Sequence, residues 1–127
     1  MNVASWTQIL NKIEIGNKLV HYLAIDIEGN EYPLLNELHD FGQYQGNGIF
    51  ICQLDVEFHT ENLNIVFDKD FGLGKFLVNF FHKATSFLPV YAAPYSIRAP
   101  HAIKMTIINV KSVECEKAFR FSKYFER

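Results

Sequence analysis

The stretch LAIDIEGNEYPLL, residues 23–35, decides the fold. It begins as a strand that is apolar on both faces, the pattern of a central strand in a parallel sheet. Two carboxylates, Asp26 and Glu28, close that strand just before Gly29. A helix start follows, with Asn30 as cap, Glu31 in the first turn, and Pro33 where only the beginning of a helix accepts it. The spacing predicts a strand over residues 19–27 and a helix over about 31–38. Period-two geometry sets Asp26 and Glu28 on one face of the strand end, with Ile27 opposite. The simplest role for Glu28 and Glu31 is to meet the positive end of the helix. Asp26 sits deeper, where an unpaired carboxylate costs on the order of several kcal/mol, and is therefore the better candidate for chemistry.

Working outward, Trp6, Ile9, Leu10 and Ile13 recur at helical spacing behind Ser5, and Gly16 and Asn17 end that pattern. A Gly-, Gln- and Asn-rich loop at 41–48 leads to a second strand over 49–59. In its latter half Cys52, Leu54, Val56 and Phe58 point one way, and Gln53, Asp55, Glu57 and His59 the other. A polar loop, TENLN, precedes a helix over about 70–85 with a stripe of Phe71, Phe76, Leu77, Phe80, Phe81 and Ala84. Its start is weakened by Gly72 and Gly74. Proline punctuates the next connection, which holds a short strand at 88–92. A strand over 101–110 and a short aromatic-anchored helix over 113–125 complete the chain.

This alternation predicts an α/β domain, a largely parallel sheet with flanking helices. Right-handed crossovers bring the first two strands together, and their carboxyl ends share the edge where open α/β sheets bind ligands. Asp26, Glu28, Asp55, Glu57 and His59 are expected to converge there.

A length of 127 residues suits one domain, and twelve phenylalanines suit a packed core. A net charge of −2 with no basic stripe argues against a nucleic-acid partner or an anionic membrane. Apolar runs fall short of the ~20 residues of a membrane span, and the amino terminus lacks secretory-signal features. A cytoplasmic location is the expectation. Cys52 and Cys115 have no CxxC spacing and read as two thiols, one of them buried, rather than as a disulfide framework.

No nucleophile elbow, P-loop or GxGxxG follows a strand. Cys52 and His59 are too far apart along one strand to form a catalytic pair. Asp26 with Asp55, Glu57 and His59 has the residue types of a metal site, but an alternating polar face is more often just solvated. No metal ligand is assigned. The remaining histidines, His21, His39, His82 and His101, read as structural.

The string LVHYLAIDIEGNEYPLLNEL, residues 19–38, resembles the hydrophobic strand and DxEGxE signature of FkbM-like, S-adenosylmethionine-dependent methyltransferases. The later strand IFICQLDVEFH, residues 49–59, is similar to one in animal members, and SWTQILNKI to the segment leading into the signature. A looser likeness runs through LPVYAAPY and MTIINV to Cys115. The resemblance implies a Rossmann-like methyltransferase fold in which the strand ending at Asp26 is the fourth and the one ending at His59 the fifth. It implies methyl transfer from S-adenosylmethionine, commonly to a hydroxyl of a small molecule or glycan. Asp26 and His59 are then the catalytic candidates, and Glu28, Glu31, Asp55 and Glu57 face the substrate.

The family's Gly-rich cofactor turn and its ribose-binding acid have no counterpart before Trp6, so the cofactor-binding residues stay unassigned. The chain is expected to be the carboxyl-terminal half of such a domain, inactive and without S-adenosylmethionine binding when alone. Two other readings follow. One is a non-catalytic remnant that self-associates through an exposed sheet edge; the other is a small metal-dependent hydrolase using Asp26, Asp55 and His59.

Overall fold

A computed structural model describes residues 8, 9, 12, 19–39, 50–60, 72–83, 86–94 and 102–126. The elements are β1 (Leu19–Ile25), α1 (Glu31–His39), β2 (Phe50–His59), α2 (Leu73–Lys83), β3 (Phe87–Pro94), β4 (Ala102–Asn109), α3 (Val113–Phe119) and α4 (Ser122–Phe125). Of the amino-terminal helix only residues 8, 9 and 12 are described, all helical, with Ile9 packed against the core. The rest of that helix and the 41–48 loop lie outside the described residues.

The domain is α/β, but its sheet is mixed rather than largely parallel, with strand order β1-β2-β4-β3. β1 and β2 pair in parallel, while β4 pairs antiparallel with both β2 and β3. The reason lies in connection length. Parallel neighbours need a crossover of about a dozen residues or more, and only residues 95–101 separate β3 from β4. β4 accordingly runs antiparallel to β3 and enters the sheet reversed, between β2 and β3. β3 is an edge strand; Pro89 and Pro94 suit an edge, where a missing N–H is tolerated, and the register shifts between Pro89 and Tyr91.

β2 carries the alternation its sequence predicts. Cys52, Leu54, Val56 and Phe58 are buried, while Gln53, Asp55, Glu57 and His59 are only partly so. α1 and α2 cover the apolar face. Tyr32 of α1 packs edge-on against Phe76 of α2, and both rings meet Phe58. Phe80 continues the row, stacked between Phe76 and Phe87. The predicted stripe of α2 therefore holds for Phe76 and Phe80, with Leu73, Leu77 and Phe81 at its margin; Phe71 and Ala84 lie outside the described residues.

The two cysteines correct the sequence reading. Cys52 of β2 and Cys115 of α3 form a disulfide, and both are fully buried. Their 63-residue separation hides the pairing from any local spacing rule. α3 is seated beside β1 and β2 by a chain of hydrogen bonds. The Asn109 side-chain amide donates to the Ile51 carbonyl, and its oxygen accepts from the Lys111 and Ser112 amides. The Ser112 hydroxyl then caps α3 by accepting from the Cys115 amide. Arg120, in the left-handed conformation at φ 53°, splits the predicted tail helix into α3 and α4.

Candidate functional site

β1 ends at Ile25, two residues earlier than the hydrophobic run suggests, so Asp26 and Glu28 belong to the turn that follows. In that turn the Asn30 amide and the Asn30 side chain both donate to the Ile27 carbonyl. Glu28 and Gly29 both take positive φ, 51° and 96°. Glycine accepts this freely, whereas a glutamate held there stores on the order of 1 kcal/mol of backbone strain. The turn lifts Asp26 and Glu28 above the carboxyl end of β1, next to the carboxyl end of β2, because the two strands are parallel neighbours.

His59, the last residue of β2, is the hub. Its Nδ1–H donates to Oε1 of Glu31, which is fully buried at the start of α1. Its Nε2 lies 3.7 Å from Asp26 Oδ1, 3.6 Å from Glu28 Oε2 and 3.7 Å from Glu57 Oε1. The residue after Glu31 holds the same histidine by its backbone, since the buried Tyr32 hydroxyl donates to the His59 carbonyl at 2.8 Å. Burial pushes the Tyr32 pKa well above its usual value, with the Glu31 charge adding to the effect, so this hydroxyl stays protonated. For His59, burial alone works toward a lower pKa. The hydrogen bond and charge of Glu31, with Glu28 and Asp26 behind them, outweigh burial and leave the pKa raised.

Four carboxylates thus surround one imidazole: Asp26, Glu28, Glu31 and Glu57. Asp26 and Glu28 are mostly exposed, Glu57 is largely covered, and Glu31 is sealed. Convergence at the strand ends is as the sequence predicts for all but Asp55. That residue points into the same face of the sheet lower down, where it accepts from the Tyr22 hydroxyl at 3.1 Å and from the Gln53 amide at 3.3 Å. The Asp55 hydrogen bond and charge raise the Tyr22 pKa. Glu31 also departs from the expected role. It stands behind His59 with no exposed surface, which makes it a positioning residue rather than a substrate contact.

Beside the cluster a groove of about 360 Å³ runs across the polar face of the sheet. Tyr22 and Tyr91 flank it, and Asp26, Asp55, Glu57 and Lys104 supply its charges. Tyr22, Tyr32, Tyr91 and Lys104 are the side chains of this region that sequence reasoning did not single out. A tyrosine directly after Glu31 was the available signal for Tyr32; for Tyr91 nothing local distinguishes a groove wall from an exposed edge residue.

Comparison with models of known protein families, with curated proteins and with solved structures gave no match. Among the described residues no helix is long and apolar enough to cross a membrane.

Proposed function

We propose that these residues form the acceptor side of an S-adenosylmethionine-dependent methyltransferase domain, one that takes a hydroxyl-bearing small molecule or glycan. The observation that carries the reading is the junction of the DxEGxE turn with His59 at the ends of two adjacent parallel strands. This is the neighbourhood the family resemblance requires of a fourth and a fifth strand. The reversed β4 is compatible with it, since doubly wound folds often carry an antiparallel strand toward one edge of an otherwise parallel sheet.

His59 is set up to accept a proton. Glu31 holds Nδ1–H, so the Nε2 lone pair is left toward Asp26, which lines the groove and is placed to orient a hydroxyl. Tyr22 and Tyr91 offer the flat apolar faces, and Asp55, Glu57 and Lys104 the polar contacts, that suit a polyhydroxylated acceptor. S-adenosylmethionine, when bound, supplies the methyl group. Among the described residues Gly72 and Gly74 open α2, with the Gly72 carbonyl accepting from the Phe76 amide, so they serve a helix start and not a cofactor cradle.

The disulfide adds a condition. Buried cystines belong to proteins that mature in an oxidising compartment, so the reading places the activity in a secretory or extracellular setting rather than in the cytoplasm.

Two measurements test the reading. The gene product that carries these residues should transfer radiolabelled methyl from S-adenosylmethionine to a hydroxyl acceptor, and Asp26→Asn and His59→Gln should each lower the rate by about a hundredfold or more. Transfer that is indifferent to both substitutions would overturn the assignment. The 127-residue chain alone should give no calorimetric heat with S-adenosylmethionine; micromolar binding would show that the cofactor pocket lies within it.

A further inference from the structure

We infer that Asp26, Glu57 and His59 form a binding site for a divalent transition-metal ion, manganese or zinc, with Glu31 as the buried group that orients the histidine. One oxygen from each carboxylate and one ring nitrogen lie within 4.8 Å of one another. The two 3.7 Å distances from His59 Nε2 are close to the separation of about 3.3–3.4 Å between ligand atoms of a tetrahedral ion with bonds of about 2.05 Å. Rotation of the exposed Asp26 side chain shortens its own separation, and Glu57 needs a shift of a few tenths of an ångström.

Glu31 supplies the independent observation. It is wholly buried, its head faces the His59 ring, and its second oxygen, Oε2, has no hydrogen-bond partner among the described residues. A buried carboxylate is costly unless it is paired and hydrogen-bonded, and only Oε1 of Glu31 has such a partner among the described residues. Here Oε1 accepts the hydrogen bond from Nδ1–H, which leaves the Nε2 lone pair toward Asp26 and Glu57. That is the outer-shell carboxylate arrangement which orients a metal-bound histidine.

Charge and access agree. Lys104 Nζ engages Oε2 of Glu57 at 3.4 Å, which leaves Oε1 turned toward His59. Glu28 stands at the rim as a further anion. With His59 neutral as a ligand, Lys104 offsets one of the four carboxylates and a divalent cation offsets two more. Mixed oxygen and imidazole donors favour manganese or zinc over magnesium. Asp26 and Glu57 also line the groove, so the ion keeps open positions for a hydroxyl ligand.

The inference stands apart from methyl transfer. Occupancy would convert His59 from proton acceptor to ligand, with the acceptor hydroxyl activated by coordination, but the site is defined by its own geometry. A chain that binds the ion and transfers no methyl group keeps this inference and loses the other.

The test is calorimetry of the chelator-stripped 127-residue chain with manganese chloride and with zinc chloride. Both cysteines are in the disulfide, so thiols do not compete for zinc. One equivalent should bind and raise the melting temperature, and the bound manganese should show nitrogen coupling by pulsed electron paramagnetic resonance. Asp26→Asn and Glu57→Gln should abolish that equivalent, and Glu31→Gln should weaken it about 10–100-fold. Asp26 is largely exposed, so its variant folds, as circular dichroism would check. Uptake of neither ion, or uptake unchanged in Asp26→Asn and Glu57→Gln, would overturn the inference.

Discussion

The two ends of β2 solve opposite problems. At the amino end, Cys52 is bonded to Cys115, and Asn109 satisfies a β2 carbonyl and two amides of the turn before α3. At the carboxyl end, one histidine stands among four carboxylates, one of them with a buried oxygen that has no partner among the described residues. The first end is saturated and apolar around its cross-link. The second keeps a concentration of like charge around a single histidine, and such concentrations are where ligands are often handled. The difference separates what holds this fold together from what the fold is arranged to present.

The largest effect should come from breaking the saturated end. A cross-link closing a 63-residue separation restricts the unfolded chain by about 4 kcal/mol in the loop-entropy model. Cys115→Ala should therefore unfold at markedly lower urea than the oxidised protein, and reductant should shift the wild type but not the variant. At the other end, His59→Ala removes the partner of a sealed carboxylate. It should cost about 3 kcal/mol by chemical denaturation, with Glu31→Gln in the same background recovering part of the loss.

A smaller change, Tyr32→Phe, deletes the hydrogen bond to the His59 carbonyl while keeping the ring among Phe58 and Phe76. About 1 kcal/mol should be lost, and nitrogen coupling of bound manganese should weaken as the histidine loosens. The smallest effect is on pH dependence. The folded pKa of His59 is raised above its unfolded value near 6.5, so its contribution is complete below that pH and fades as pH rises through the folded value. Urea titrations of metal-free protein should show stability falling across that window, with a flatter profile in His59→Ala.

Several features were legible in the sequence because they are local. The β2 alternation, the break at Gly29, the helix opening at Glu31 and the phenylalanine stripe of α2 all follow from periodicity and backbone preference. So did the expectation that Asp26, Glu28, Glu57 and His59 meet, which needed only two parallel strands with a right-handed crossover. The failures share one cause. Cys52 and Cys115, the reversed β4, and the division between Asp55 and Glu57 depend on which distant segments become neighbours. Asp55 and Glu57 lie on the same face of the same strand, and only the position of Tyr22 opposite one, and of the His59 ring beside the other, gives them different partners.

By itself the amino-acid sequence determined the elements, the apolar face they bury and the carboxylates at a strand end, because those follow from hydrophobic period and turn chemistry over a few residues. Only the tertiary structure decided that Glu31 is sealed behind His59, that Nε2 faces Asp26 and Glu57, and that the cysteines are joined. Burial and donor direction are properties of the packed assembly, in which α1 is pressed against the end of β2 and a surface-type residue becomes an interior one.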